Sequence, residues 1–145
     1  MPLARGTAAR LGQVLLNLLT NALEAMPAGS KETNCLRVTV RESAAAGVVV
    51  EVSDNGVGIA RENAARIFDP FFTTKSSGSG TGLWLAISQR LVAELGGELS
   101  FESLPDRGTT FSVTLLPEEM PETARSGFHA KNGGAAPVTR AAVRR

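Results

Sequence analysis

Apolar residues recur at helical spacing from Leu11 to Met26, where Leu11, Val14, Leu15, Leu18, Ala22 and Ala25 share one face. Leu16, Leu19 and Leu23 make this predicted helix apolar over most of its remaining circumference, and Pro27 with Gly29 stops it. The pattern then turns to β-branched runs. Leu36 to Arg41 and Val48 to Ser53 predict a hairpin or neighbouring strands joined by the Ala-Gly stretch 44–47. Ile59 to Phe68 predicts a short helix that ends before Pro70, and residues 73–82, TTKSSGSGTG, predict a flexible loop. Gly82 to Leu95 predicts a second long helix, closed by Gly96-Gly97. Glu98 to Ser103 and Thr109 to Leu116 alternate as strands around the turn Pro105-Asp106-Arg107-Gly108.

Three helices and four strands in this order predict an α+β sandwich with helices on one face of a sheet. Past Pro117 the large apolar residues thin out and Pro, Gly and Ala take over. The expected division is therefore a domain within residues 1–117, ordered from about residue 7, and a disordered tail over 118–145.

Composition narrows the function classes. Fifteen basic residues nearly cancel fourteen acidic ones, which gives no reason to expect nucleic acid or an anionic membrane as the main partner. The single cysteine, Cys35, cannot form an internal disulfide and suits a reducing cytoplasm. No apolar run reaches the roughly 18 residues of a membrane span, and MPLARGTAARLG lacks the apolar region of a signal peptide. The expectation is a cytoplasmic chain.

Three constellations carry chemistry. Gln13, Asn17 and Asn21 lie four apart on an otherwise apolar helix. Asparagine is a poor helix-interior residue, so the stripe is either the solvated side or a cleft wall whose amide oxygens suit Mg²⁺. The second is Val48-Val49-Val50-Glu51-Val52-Ser53-Asp54-Asn55-Gly56-Val57-Gly58. Asp-Asn-Gly is a common tight turn, but a helix-like ARENAARIF follows instead of a returning strand. A carboxylate at a strand end beside side-chain-free backbone suits a flat heterocycle with an exocyclic amine. The third is Gly78-Ser79-Gly80-Thr81-Gly82-Leu83 running into a helix, a phosphate-holding arrangement that a Gly/Ser linker also resembles. Lys75 adds a mobile cation just upstream, or is an ordinary surface lysine.

Their order along the chain resembles one family. LGQVLLNLLTNALEA is similar to the N box of the sensor histidine-kinase catalytic domain, VSDNGVGI to its G1 box, IFDPFFTTK to its F box, and GSGTGLWLAIS to its G2 box. The closing strand also matches, so the resemblance covers about residues 11–117. It implies the Bergerat ATP-binding fold, a two-layer sandwich with a mixed sheet covered on one face by helices, and ATP with Mg²⁺ as cofactors. Carried over residue by residue, Asn21 would coordinate Mg²⁺ and Asn17 would face the phosphates one turn earlier. Asp54 would bind the adenine amine, Gly56 and Gly58 would shape that pocket, and Thr109 would support adenine. Phe68, Phe71 and Phe72 would anchor a lid, or serve as core. Lys75 and the backbone of Gly80, Thr81, Gly82 and Leu83 would contact phosphates.

The resemblance also selects a reaction. Hydrolysing relatives and anti-sigma-type serine kinases place glutamate at position 17 as a general base, and Asn17 cannot take that proton. Histidine phosphorylation needs no such base, because a neutral imidazole is already a nucleophile. The implied partners are a helical phosphoacceptor domain and, downstream, a response regulator. The alternatives are a nucleotide-binding regulatory module without kinase activity and an anti-sigma-type serine kinase. Two departures stand out. The only histidine, His129, lies in the tail, and the phosphoacceptor helices and first strand of the family are missing, as in a monomeric fragment of a longer protein. Trp84 stands where the family pattern has glycine, and its indole lies over the cleft, in the core beneath, or outward without effect.

Overall fold

The computed structural model of the chain describes residues 8–27, 32–44, 46–73 and 82–117. Helix α1 spans Ala8–Ala25, strands β1 and β2 span Leu36–Glu42 and Val48–Asp54, helix α2 spans Trp84–Glu94, and strands β3 and β4 span Glu98–Leu104 and Gly108–Leu115. The expected tail over 118–145 lies outside the described residues, as do Lys75, Gly80 and Thr81.

The four strands form one sheet in the order β1-β2-β4-β3. Every pairing is antiparallel, so the mixed sheet implied by the resemblance is antiparallel throughout the described strands. Two short hairpins and a central β2–β4 pair account for this, since tight connections can only join antiparallel neighbours.

Register decides what each face carries. One row across the sheet reads Val38, Val52, Phe111, Phe101, and the next reads Val40, Val50, Val113, Leu99. Side chains alternate faces along a strand, so these rows share the face that α1 and α2 cover. From β2 to β3 they form the core with Val14, Leu18 and Val92 from the helices. Phe101 sits at its centre, its ring 5.8 Å from both Phe68 and Phe111. The same alternation puts a polar row, Asp54, Thr109 and Ser103, on the helix-covered face at its rim. The sheet thus delivers its acid and hydroxyls to the edge of an apolar interior. At β1 the helical layer gives out, and Val38 and Val40 are 51% and 50% exposed.

Helix α2 begins at Trp84 rather than Gly82 and ends as expected. The amides of Gly96 and Gly97 turn back to Ala93 and Val92.

The helix expected over Ile59 to Phe68 is a run of turns instead. The amides of Asn63, Ala64, Arg66 and Asp69 each reach the carbonyl three residues back. The segment is pinned at both ends, by Ile59 N–H to Ser103 Oγ (2.8 Å) and by Phe71 N–H to the Gly82 carbonyl (3.0 Å). Between these ties Ile67 and Phe68, consecutive residues, both turn inward against the core cluster. Tight three-residue turns accommodate that where a regular α-helix keeps one narrow inward face.

Candidate functional site

A cavity of about 570 Å³ opens between the C-terminal half of α1, the segment after β2, the start of α2 and the β3–β4 turn. Its volume is in the range of small-molecule sites. Helix α1 contributes Asn21 and Glu24, and the segment after β2 contributes Val57, Gly58 and Ile59. Ile67 and Phe72 form an apolar wall, facing Gly82, Trp84 and Leu85. Asp106 and Thr109 close the end nearest the sheet.

The polar stripe of α1 divides. Asn17 is buried, accepts a hydrogen bond from Gln13 Nε2 (2.7 Å) and donates to Ser88 Oγ of α2 (3.1 Å). Its amide therefore ties the two helices together and does not line the cavity. Asn21, one turn on, does line it, because α2 starts at Trp84 and covers the earlier turn of α1.

Asp54 is 8% exposed at the end of β2. Burial pushes its carboxyl above the usual carboxylate range, and hydrogen bonds from the amides of Gly56 and Thr109 pull it partly back. The Gly56 bond measures 2.9 Å. Asp54 lines a smaller depression of about 230 Å³ rather than the wall of the large cavity, and Thr109 borders both. Thr109 Oγ1 is held at 2.8 Å from Ser103 Oγ, which also donates to the Gly108 carbonyl (3.1 Å).

The two glycines of the G1-like segment serve the chain's own backbone. A Cβ on Gly56 would lie 2.3 Å from the Ala25 carbonyl oxygen, at the end of α1. Gly58 has φ +69°, and a Cβ there would lie 2.1 Å from the Leu104 carbonyl oxygen. They allow β2, α1 and the β3–β4 turn to close on one another, and this close packing forms the cavity end. Gly58 also lines the cavity; Gly56 lies behind it.

The phenylalanines separate as well. Phe68 meets Phe101 edge-on and belongs to the core side. Phe72 lines the cavity, with the Arg66 guanidinium 4.5 Å above its ring. Phe71 is 75% exposed with φ +67°. Gly82 borders the cavity and Leu83 takes the N-cap of α2, with no side-chain hydrogen bond capping the helix. A helix start of this kind suits an anion. Trp84 is 49% exposed and lines the cavity, so its indole stands over the cleft and not in the core.

Sequence reasoning missed Glu24, Asn63 and Asp106 on the cavity wall and Ser88 behind Asn17. Glu24 was within reach, since it lies three residues after Asn21 on the same helix. Asn63 and Asp106 sit in turns, where periodicity is silent.

Residues 6–119 match the family model of histidine kinase-, DNA gyrase B-, and HSP90-like ATPases. The C4-dicarboxylate transport sensor protein DctB of Rhizobium meliloti (strain 1021) is 47% identical over 112 residues, which cover 77% of this chain and 17% of that protein. Among solved structures, the catalytic domain of histidine kinase ThkA is 33% identical with a TM-score of 0.61, covering 75% of this chain and 67% of that one. Full-length ShkA in complex with AMPPNP is 30% identical with a TM-score of 0.68, covering 83% of this chain and 25% of that one. Among the described residues no helix is long and apolar enough to cross a membrane.

Proposed function

The chain belongs, over residues 6–119, to the family of histidine kinase-, DNA gyrase B-, and HSP90-like ATPases, and on that premise we propose that it binds Mg²⁺-ATP and donates the γ-phosphate to a histidine on a separate phosphoacceptor domain. The observation that carries this reading is the cavity itself, with Thr109 at one end and the uncapped start of α2 with Asn21 towards the other. A ligand with a flat polar head and an anionic tail matches both ends. Thr109, which borders both hollows, is assigned the adenine end, and Asp54, in the smaller depression that adjoins it there, is assigned the exocyclic amine, its carboxylate accepting. The amides at the start of α2 are assigned the phosphates, together with Lys75, Gly80 and Thr81 of the preceding segment.

The residues also suit the metal. Magnesium takes few protein ligands and completes its shell with water and phosphate oxygens. Asn21 offers one neutral oxygen donor on the cavity wall. Among the described residues no group of three or more His, Cys, Asp and Glu could hold a metal ion. Bound there, it would neutralise phosphate charge.

The chain's own residues bind and orient. Asn17 cannot act as a general base, and its amide is engaged by Gln13 and Ser88, so nothing at that position activates water or a hydroxyl. An incoming neutral imidazole needs no such help, which favours histidine over hydrolysis or serine transfer. A response regulator would then take the phosphoryl group. The chain spans only part of its relatives' length, 17% of DctB.

The test is labelling with γ-phosphate-labelled ATP. The isolated chain is expected not to label itself. Adding a helical phosphoacceptor domain from a DctB-like sensor should give slow transfer, because proximity has been lost. The product should be acid-labile and base-stable. Label on serine, or robust self-labelling, contradicts the reading; binding without transfer to any histidine domain favours a regulatory module.

A further inference from the structure

We infer that the free edge of β1 is an interface with a second copy of this chain, joined antiparallel about Val38 so that one sheet runs through both copies. Among the described strands β1 lies at the edge of the sheet. At the two ends of its ladder with β2, the Asn55 amide donates to the Cys35 carbonyl (3.3 Å) and the Ser43 amide to the Gly47 carbonyl (2.9 Å). Hydrogen-bonded positions recur at every second residue of an antiparallel pair, so Arg37, Thr39 and Arg41 turn their backbone groups to β2. Leu36, Val38, Val40 and Glu42 therefore turn theirs to the open edge. Their side chains lie on the helix-covered face, where Val38 and Val40 are half exposed. Free backbone groups beside exposed valines form a template for another strand.

Helix α1 walls this floor on one side. Arg10 and Asn17 face α2, through Glu94 (3.5 Å) and Ser88. Helical spacing puts Leu16, Leu19 and Leu23 on the opposite flank, towards β1, and Leu16 and Leu23 are 58% and 60% exposed. Helix α1 lies over β2, so joining two β1 edges sets the two α1 helices three strand spacings apart, about 14 Å. A helix with its side chains is about 10–12 Å across, so the two leucine flanks nearly meet above the valines. The cavity opens on the other flank of α1, at Asn21 and Glu24, and stays accessible.

Charge selects the register. Pairing about Val38 sets it against the partner's Val38, and Leu36 against the partner's Val40. On the other face Arg37 meets the partner's Thr39, while Arg41, already paired with Glu51 at 2.9 Å, meets the partner's Cys35. Centring the pair on Thr39 instead would set Arg37 opposite the partner's Arg41, a destabilising like-charge pair.

The experiment is sedimentation velocity on the whole chain over a range of concentrations. One strand and one helix flank per copy fall short of the roughly 20–30 residues a side of a standard interface, so Kd should be roughly 10–100 µM. The mass should rise from 15.2 kDa towards twice that value across this range. Val38→Lys should stay monomeric and keep the melting temperature of the dilute parent; Val40→Lys repeats the test should Val38→Lys unfold. In a Cys35→Ser background, Val38→Cys should cross-link on mild oxidation, because facing Cα atoms of a hydrogen-bonded pair lie about 5.5 Å apart. Thr39→Cys should not, since its copy sits on a diagonal about 7–8 Å away. A parent that is monomeric at every concentration, a dimer that persists in both lysine variants, or faster cross-linking through Thr39→Cys overturns the inference. A monomeric parent whose melting temperature drops in Val38→Lys shows a segment of the same chain on this edge, and overturns it too.

Discussion

Asp54→Ala is expected to lower nucleotide affinity by roughly tenfold to a hundredfold, the range that follows from leaving one polar group unpaired in a desolvated site at about 1–3 kcal/mol. The carboxylate is assigned to the adenine amine, and no neighbouring acid replaces it in its register row, whose other members on β4 and β3 are Thr109 and Ser103. Alanine also strips an acceptor from the Gly56 and Thr109 amides, so Asp54→Asn separates the two effects. The amide keeps an oxygen for Gly56 but cannot offer a carboxylate to the ligand. It should fold like the parent and bind as poorly as alanine. Stability should move the other way. Burial raises the pKa of Asp54 in the folded chain, so between the unfolded and folded values the native state holds a proton that the unfolded state has lost. Ligand-free stability thus falls as pH rises through that window and stays at the lower level above it. Thermal melts across this range should show the slope in the parent and lose it in Asp54→Asn. Nucleotide affinity equal to the parent's in both variants contradicts the assignment of Asp54.

Phe101→Ala is expected to cost about 3–5 kcal/mol, a large share of the roughly 5–15 kcal/mol that holds a domain of this kind together. Phe101 is 2% exposed, lies in the central row of the sheet, and touches Phe68 edge-on and Phe111 at a tilt. Phe68 belongs to the run of turns that carries Ala60, Asn63 and Ile67 to the cavity wall. The cavity floor is therefore anchored through an aromatic contact some distance from any ligand. Urea denaturation should show a much lower midpoint at an unchanged slope, and Phe101→Leu, which keeps most of the volume, should lose under about 1.5 kcal/mol. A loss below about 1 kcal/mol for alanine would mean that the three-ring cluster does not organise the core.

The strands and both long helices were legible because their patterns have strong periods. Val48 to Asp54 and Gly108 to Leu115 alternate or run apolar as buried strands do, and the apolar face of α1 is the one that meets the sheet. The polar rim was legible in part, as an acid at a strand end. Its partners were not, because Ser103 and Thr109 become neighbours of Asp54 only through the register of three strands. Asn17 shows the same limit. Its spacing from Asn21 correctly put both on one side of the helix, but which of them faces a cavity depends on where α2 starts to cover α1. Gly56 and Gly58 were recognised as necessary, for a reason that changed: the approaching groups are the carbonyls of Ala25 and Leu104. The segment 59–68 misled because helix-forming residues such as Ala64, Ala65 and Arg66 cannot override two end tethers and two consecutive inward side chains. Asn63 and Asp106 gave no signal, since turn residues follow no period.

The central claim, that this cavity takes Mg²⁺-ATP, is tested most directly by calorimetric titration of ATP into the unaltered chain with and without Mg²⁺. The account predicts saturable binding at one site per chain, with affinity that falls when Mg²⁺ is withheld. A folded chain that gives no saturable heat with ATP or ADP, with the metal present, contradicts it.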